Sequence, residues 1–127
     1  MRADITKKNK IDRLKRRSDF LRLRDGRKWI SPSVIVQLDD NAGPGVRIGI
    51  TATKKLGGAV VRNRVKRRLR AAARLALGAI QTPVDIVLIG REATASCPFA
   101  TLLKDLRWCL RRLEVTGHDS TDRHHAA

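Results

Sequence analysis

Between residues 33 and 53 apolar side chains fall on every second position: Val34, Val36 and Leu38, then Val46, Ile48, Ile50 and Ala52, with Asn41-Ala-Gly-Pro-Gly45 between the runs. A period of two marks a strand with one buried face. The chain therefore predicts strands over 33–39 and 46–53, joined as a hairpin through a turn rich in Gly and Pro. After Gly57-Gly58 the period changes: Val61, Val65, Leu69, Ala72 and Ala76 recur every three or four residues until Gly78. That spacing predicts a helix over 59–77 with a single apolar stripe. Residues 84–89 are apolar except for Asp85, as in a central strand buried on both faces. Pro98 then opens a helix with Phe99, Leu102, Leu103, Leu106, Leu110 and Leu113 on its inner face. Near the start, Ser18 is placed to cap a short helix over 19–25 that ends at Gly26, with Phe20 and Leu23 sharing a face. The order helix, strand, strand, helix, strand, helix, without internal repeats, implies a sheet with helices packed on it.

At 127 residues and 42% hydrophobic composition the chain supports one core. The expected organisation is a basic flexible N-terminus over 1–12, one domain over 13–115 and a mobile polar tail over 116–127. No apolar run approaches the roughly 18 residues of a membrane span, and residues 1–15 lack the apolar centre of a signal peptide. This predicts a cytoplasmic protein with no membrane partner. Cys97 and Cys109 have no zinc or redox spacing and are expected to be small core residues in a reducing compartment.

Charge sharpens the picture. Lys and Arg number 28 against 12 acids, a formal net charge of +16, and a polycation of this kind needs a polyanionic partner. From Asn41 to Val84 there is no acid, whereas Arg47, Lys54, Lys55, Arg62, Arg64, Lys66, Arg67, Arg68, Arg70 and Arg74 are all basic. Outside its apolar stripe the 59–77 helix is almost purely cationic. Its first turns carry Arg62 and Arg64 where the backbone dipole favours acids, and like charges meet at Arg62 and Lys66, Lys66 and Arg70, Arg70 and Arg74, and Arg64 and Arg68. Each such pair costs about 0.2–0.5 kcal/mol in an isolated helix. Phosphates would relieve that repulsion, and the helix N-terminus with Lys54, Lys55 and the Gly57-Gly58 approach forms a natural anion site.

The chemistry of a protein nuclease is missing from the sequence pattern. His118, His124 and His125 fall in the polar tail, Asp39-Asp40 sits at a turn, and no Walker, dinucleotide or Ser-His-Asp pattern occurs. No catalytic or metal-ligating residue is assigned. From charge alone, three readings stay open: an accessory subunit for a catalytic RNA, a basic ribosomal or other structural RNA-binding protein, and a free-standing nuclease.

The run Lys54-Lys55-Leu-Gly-Gly-Ala-Val-Val-Arg62-Asn63-Arg64-Val-Lys66-Arg67-Arg68-Leu-Arg70 closely resembles the signature of the bacterial ribonuclease P protein component, with its Arg-Asn-Arg core on a long helix. The resemblance runs from Arg13-Leu-Lys-Arg-Arg-Ser-Asp-Phe20 to the last helix. It implies an α+β fold: a small αβ sandwich with a mainly antiparallel sheet, packed helices and an unusual left-handed βαβ crossover, shared with domains of a small-subunit ribosomal protein and of elongation factor G. It also implies the function. Such a protein binds the catalytic RNA of ribonuclease P and the 5′ leader of precursor tRNA, assisting endonucleolytic removal of the leader, with Mg²⁺ held mainly by the RNA and no obligate protein partner. Lys54, Lys55, Arg62, Asn63, Arg64, Lys66, Arg67, Arg68 and Arg70 map onto the surface for the catalytic RNA. Phe20, Arg13, Gln37, Arg47, Thr51 and Arg91 map onto the leader cleft. Arg24 and Gln37 stand where many members have aromatics, and Glu92 where many have a basic residue, so Phe20 is the one evident stacking platform. Packing of Phe20 into the core is the competing expectation.

Overall fold

The computed structural model describes residues 11–41, 45–78, 80 and 83–114. The elements are β1 (Ile11–Arg13), α1 (Arg17–Arg24), β2 (Arg27–Ile30), β3 (Val34–Asp40), β4 (Val46–Thr51), a 3₁₀ turn (Lys54–Leu56), α2 (Ala59–Leu77), β5 (Val84–Gly90), α3 (Glu92–Ser96) and α4 (Phe99–Arg112). One five-stranded sheet has the order β1-β4-β5-β3-β2.

The period-two residues do what their spacing demands. Val34, Val36, Leu38, Val46, Ile48, Val84, Ile86 and Leu88 turn to one face and meet Val65, Leu69, Ala72, Ala73 and Leu77 of α2 and Leu102, Leu106, Cys109 and Leu110 of α4. On the other face α1 seals a smaller cluster in which Leu23 packs with Leu14, Val87, Phe20 and Ile89.

The expected hairpin does not form. β5 lies between β3 and β4, antiparallel to β3 and parallel to β4. A strand that is apolar on both faces gains most from a central position: Ile86, Val87 and Leu88 are all buried, and pairing β3 directly with β4 would have left β5 at an edge. The α+β class and the packed helices hold, but the ladders divide evenly rather than being mainly antiparallel. β1 with β4 and β4 with β5 are parallel, β2 with β3 and β3 with β5 antiparallel.

The β4-α2-β5 crossover is left-handed, as the backbone bonding requires. Val84 faces the helices and donates its N–H to the Gly45 carbonyl at 3.2 Å. Seen from the helix side with both strands running upward, an L-residue facing the viewer directs its N–H and C=O to the right. β4 therefore lies right of β5, and the chain crosses leftward over the sheet, against the usual preference.

Three further differences are local. β1 and β2 were not expected; both are short edge strands in which charge masks the alternation. Ile11 and Asp12, expected in a flexible N-terminus, pair with Val46 and Arg47. The rest of that segment, through residue 10, and the tail from 115 onward lie outside the described residues. The first helix starts at Arg17 with Arg16 as its N-cap, so Ser18 sits inside the first turn and caps nothing.

Candidate nucleic-acid interface

The N-cap of α2 is Gly58, which supplies no capping side chain, and the first turn of the helix has no acid. The preceding Gly57 has φ +139°, a conformation side chains rarely adopt, and so fixes the entry angle of the helix. The first-turn amides are thus open to an anion. Lys54 and Lys55 are exposed on the turn just before it.

Along the helix Asn63, Arg64, Arg67, Arg70 and Arg74 are exposed, and Arg62, Lys66 and Arg68 half-buried. Among the described residues, the carboxylates within ion-pair distance of a cation serve Arg22, Arg27 and Arg47, and none serves α2. The helix therefore keeps the self-repulsion its sequence implies. Arg68 differs from its neighbours: it donates to the Cys97 carbonyl and lies over the Phe99 ring, 6.0 Å from its centroid. That residue ties α2 to the α3–α4 junction as much as it faces outward.

The opposite face of the sheet is organised in rows that follow the strand register. Ile30, Ile35, Ile89 and Thr51 form one row across β2, β3, β5 and β4. Lys28, Gln37, Val87 and Gly49 form the next, and Asp39, Asp85 and Arg47 a third, charged one. α1 covers the charged end, where Arg22 reaches Asp39 and Asp85. The isoleucine end stays open, with Ile30 52% exposed. Phe20 lies between the two ends. Its half-buried ring rests on β4 at Gly49, where any Cβ would overlap the ring.

These rows sort the residues expected at the leader cleft. Phe20, Gln37 and Thr51 do share this face, although Gln37 is only 8% exposed. Arg47 shares it too but is engaged internally, its Nε and Nη2 donating to Asp85 at 2.8 and 2.7 Å. Arg13 is in register with Ile48, which turns it toward the α2 side of the sheet edge, where it lines one cavity with Phe20. Arg91 caps α3 and donates from Nη1 to the Ser31 carbonyl at 2.7 Å.

Sequence reasoning missed Lys28, Ile30, Ile35 and Ile89, whose signal is the second register of the same alternation, and it missed the ion cluster around Asp85. Asp85 is fully buried and accepts from Arg47, Arg22 and Asn41. Burial opposes its ionisation, but the hydrogen bonds from Arg47, Asn41 and Arg22 prevail and hold the carboxyl below its usual range. The same contacts outweigh desolvation at Arg22 and raise the affinity of both arginines for their protons. The legible clue was one acid in an apolar strand.

Both cysteines are free thiols, Cys109 buried and Cys97 half-buried. Burial pushes the Cys109 thiol up, away from reactivity. His118, His124 and His125 lie outside the described residues. Among the described residues no three His, Cys, Asp or Glu side chains converge as a metal site, and no helix is long and apolar enough to cross a membrane.

A family model described as Ribonuclease P matches residues 9–114 of this chain. The chain is 50% identical over 110 residues to the ribonuclease P protein component of Ruegeria pomeroyi, covering 83% of this chain and 88% of that one. To the corresponding protein of Gluconacetobacter diazotrophicus it is 46% identical over 115 residues, with 86% and 97% coverage. Among solved structures, the RNase P protein of Staphylococcus aureus superimposes with a TM-score of 0.72 at 29% identity, over 84% of this chain and 98% of that one. The RNase P protein from Thermotoga maritima gives 0.71 at 31% identity, over 81% and 98%.

Proposed function

Because this chain belongs to the ribonuclease P protein family, we propose that it binds the catalytic RNA of that enzyme through α2, and the 5′ leader of precursor tRNA across the open face of its sheet. Together these contacts assist endonucleolytic removal of the leader in the cytoplasm. The observation that carries this reading is the division of the surface: an acid-free cationic helix on one side, and on the other an open row of Ile30, Ile35, Ile89 and Thr51 beside Phe20. Lys54, Lys55, Arg62, Asn63, Arg64, Lys66, Arg67 and Arg70 serve the first surface, with Arg68 partly held by Cys97. Phe20 and Thr51 serve the second, and Arg47 shapes it from within by holding Asp85.

The chemistry is proposed to belong to the RNA. The acids that come together, Asp39 and Asp85, already accept from arginines, and such a donor set does not suit Mg²⁺, which demands free oxygen ligands in near-octahedral array. The proposal therefore assigns Mg²⁺ to RNA phosphates. What the protein supplies is positive charge that lowers repulsion between two RNAs, and a shape that engages the leader.

Cleavage of precursor tRNA tests this directly. The protein alone should leave the substrate intact, and adding it to the cognate RNA should lower the Mg²⁺ concentration needed for cleavage. Hydrolysis by protein alone, or an unchanged Mg²⁺ requirement, contradicts the proposal.

A further inference from the structure

β1 is shorter than the strand it borders. It pairs with Val46, Arg47 and Ile48, and its ladder closes with Leu14 N–H donating to the Ile48 carbonyl at 2.8 Å. Ile50 faces the same side as Ile48, so its N–H and C=O also point toward the β1 edge, where no further backbone bond forms among the described residues. A donor and an acceptor on one residue, aimed together off an open strand edge, match the paired donor and acceptor on the edge of an unpaired base.

A cavity of about 420 Å³ opens at this edge, within the roughly 300–1,000 Å³ of small-molecule sites. Ile48, Ile50, Ala73 and Phe20 contribute the apolar part of its lining. Arg13, Lys66, Arg70 and Arg74 line it, against the single carboxylate of Asp12. None of the four cations has a carboxylate at ion-pair distance among the described residues.

We infer that this cavity receives one unpaired nucleotide of a bound RNA, its base on the apolar lining against the Ile50 backbone and its phosphate on Lys66, Arg70 and Arg74. The inference deepens the proposed RNA surface. It adds base contact at the seam between the cationic helix and the sheet, where charge alone would give only phosphate contacts. Apolar area and a hydrogen-bonding edge favour a base over a bare anion, and the cations favour a nucleotide over an uncharged aromatic.

The full chain labelled with ¹⁵N, titrated with AMP, with ribose 5-phosphate and with the pentaribonucleotide UUAUU, tests it. AMP should shift the Ile50 and Gly49 amides saturably, ribose 5-phosphate should not, and UUAUU should displace AMP. Lys66→Gln with Arg70→Gln should weaken AMP about tenfold, whereas Arg111→Gln with Arg112→Gln should leave it unchanged. Equal responses to AMP and ribose 5-phosphate would mean a phosphate site without base recognition and overturn the inference, as would AMP that UUAUU cannot displace, or an Ile50 amide indifferent to every ligand. If the inference fails while assisted cleavage persists, the pocket is excluded and the proposed function stands.

Discussion

Asp85 carries most of the electrostatic ordering of the sheet face that α1 covers. Its carboxylate is fully buried and joins Arg22 of α1 to Arg47 of β4, so it fixes where the first helix sits on the sheet. Asp85→Ala should cost about 3 kcal/mol, the low end for breaking a buried pair, because both arginines retain access to water. Since the folded carboxyl titrates below its unfolded value of about 3.9, its stabilisation is complete above that pH and is lost as pH falls through the folded value. Denaturant unfolding should therefore show a gap between the native chain and Asp85→Asn at pH 7 that narrows below about pH 4. A gap independent of pH would mean that the cluster stabilises by packing alone. Phe20 is the other decisive residue: its ring belongs to the small cluster and yet is only half-buried. Gly49→Ala should tilt that ring, since a Cβ there meets its far end, with a stability loss of about 1 kcal/mol, at the mild end for overpacking a side chain that can swing away. If Phe20 stacks on a leader base, Gly49→Ala should weaken leader-bearing precursor by about 1–3 kcal/mol and leaderless tRNA hardly at all. A folded Gly49→Ala protein that binds both RNAs as the native chain does excludes the stacking role.

At the scale of elements, α2 was readable because its apolar stripe and its cationic remainder obey one helical period, and the stripe Val65, Leu69, Ala72 is indeed its buried side. The charge on its outer side is positional. Arg62 and Arg64 lie by a helix start that already favours phosphate, whereas Arg111 and Arg112 end α4, where they complement the dipole and one of them stacks on Trp29 at 4.9 Å. Arg62→Ala with Arg64→Ala should thus weaken binding to the catalytic RNA more than Arg111→Ala with Arg112→Ala, measured by filter binding at fixed salt. Equal losses would reduce α2 to its net charge. The sheet was less legible than the helices. Each strand's inward face could be read from Val34, Val36, Leu38 or Val46, Ile48, but period two says nothing about which strands are neighbours. Local proximity suggested a hairpin, and only the need to bury both faces of β5 places it between β3 and β4. The short edges escaped for another reason: three residues in β1 and the charged start of β2 offer too few apolar positions to set a period. The open row Ile30, Ile35, Ile89, Thr51 exists only once that register is known, so of its members only Thr51 was singled out from the sequence.

Taken whole, the molecule is a +16 polycation, and among the described residues Asp19, Asp39 and Asp85 on the sheet side neutralise Arg22 and Arg47. Free charge is left on the helix side. With about six phosphates neutralised there, log K for the catalytic RNA against log salt should slope at about −4 to −5, taking ~0.7–0.9 per phosphate; a nearly flat response contradicts a polycationic mode. Two surfaces on opposite sides of one sheet also allow two RNAs to be held at once, which is the central claim. Exposed methyl groups report on each side separately: Val60 and Leu75 are 83% and 57% exposed on α2, while Ile30 is 52% exposed on the open sheet row with Ile35 and Ile89 beside it. Methyl NMR of the labelled chain, first with the catalytic RNA and then with leader-bearing precursor tRNA added, is the most direct measurement. Catalytic RNA alone should shift Val60 and Leu75 and leave the three isoleucines in place, and the isoleucines should move only when a precursor with its leader is added. Isoleucine shifts with catalytic RNA alone, or none when the leader arrives, would contradict the assignment of the two faces to two RNAs.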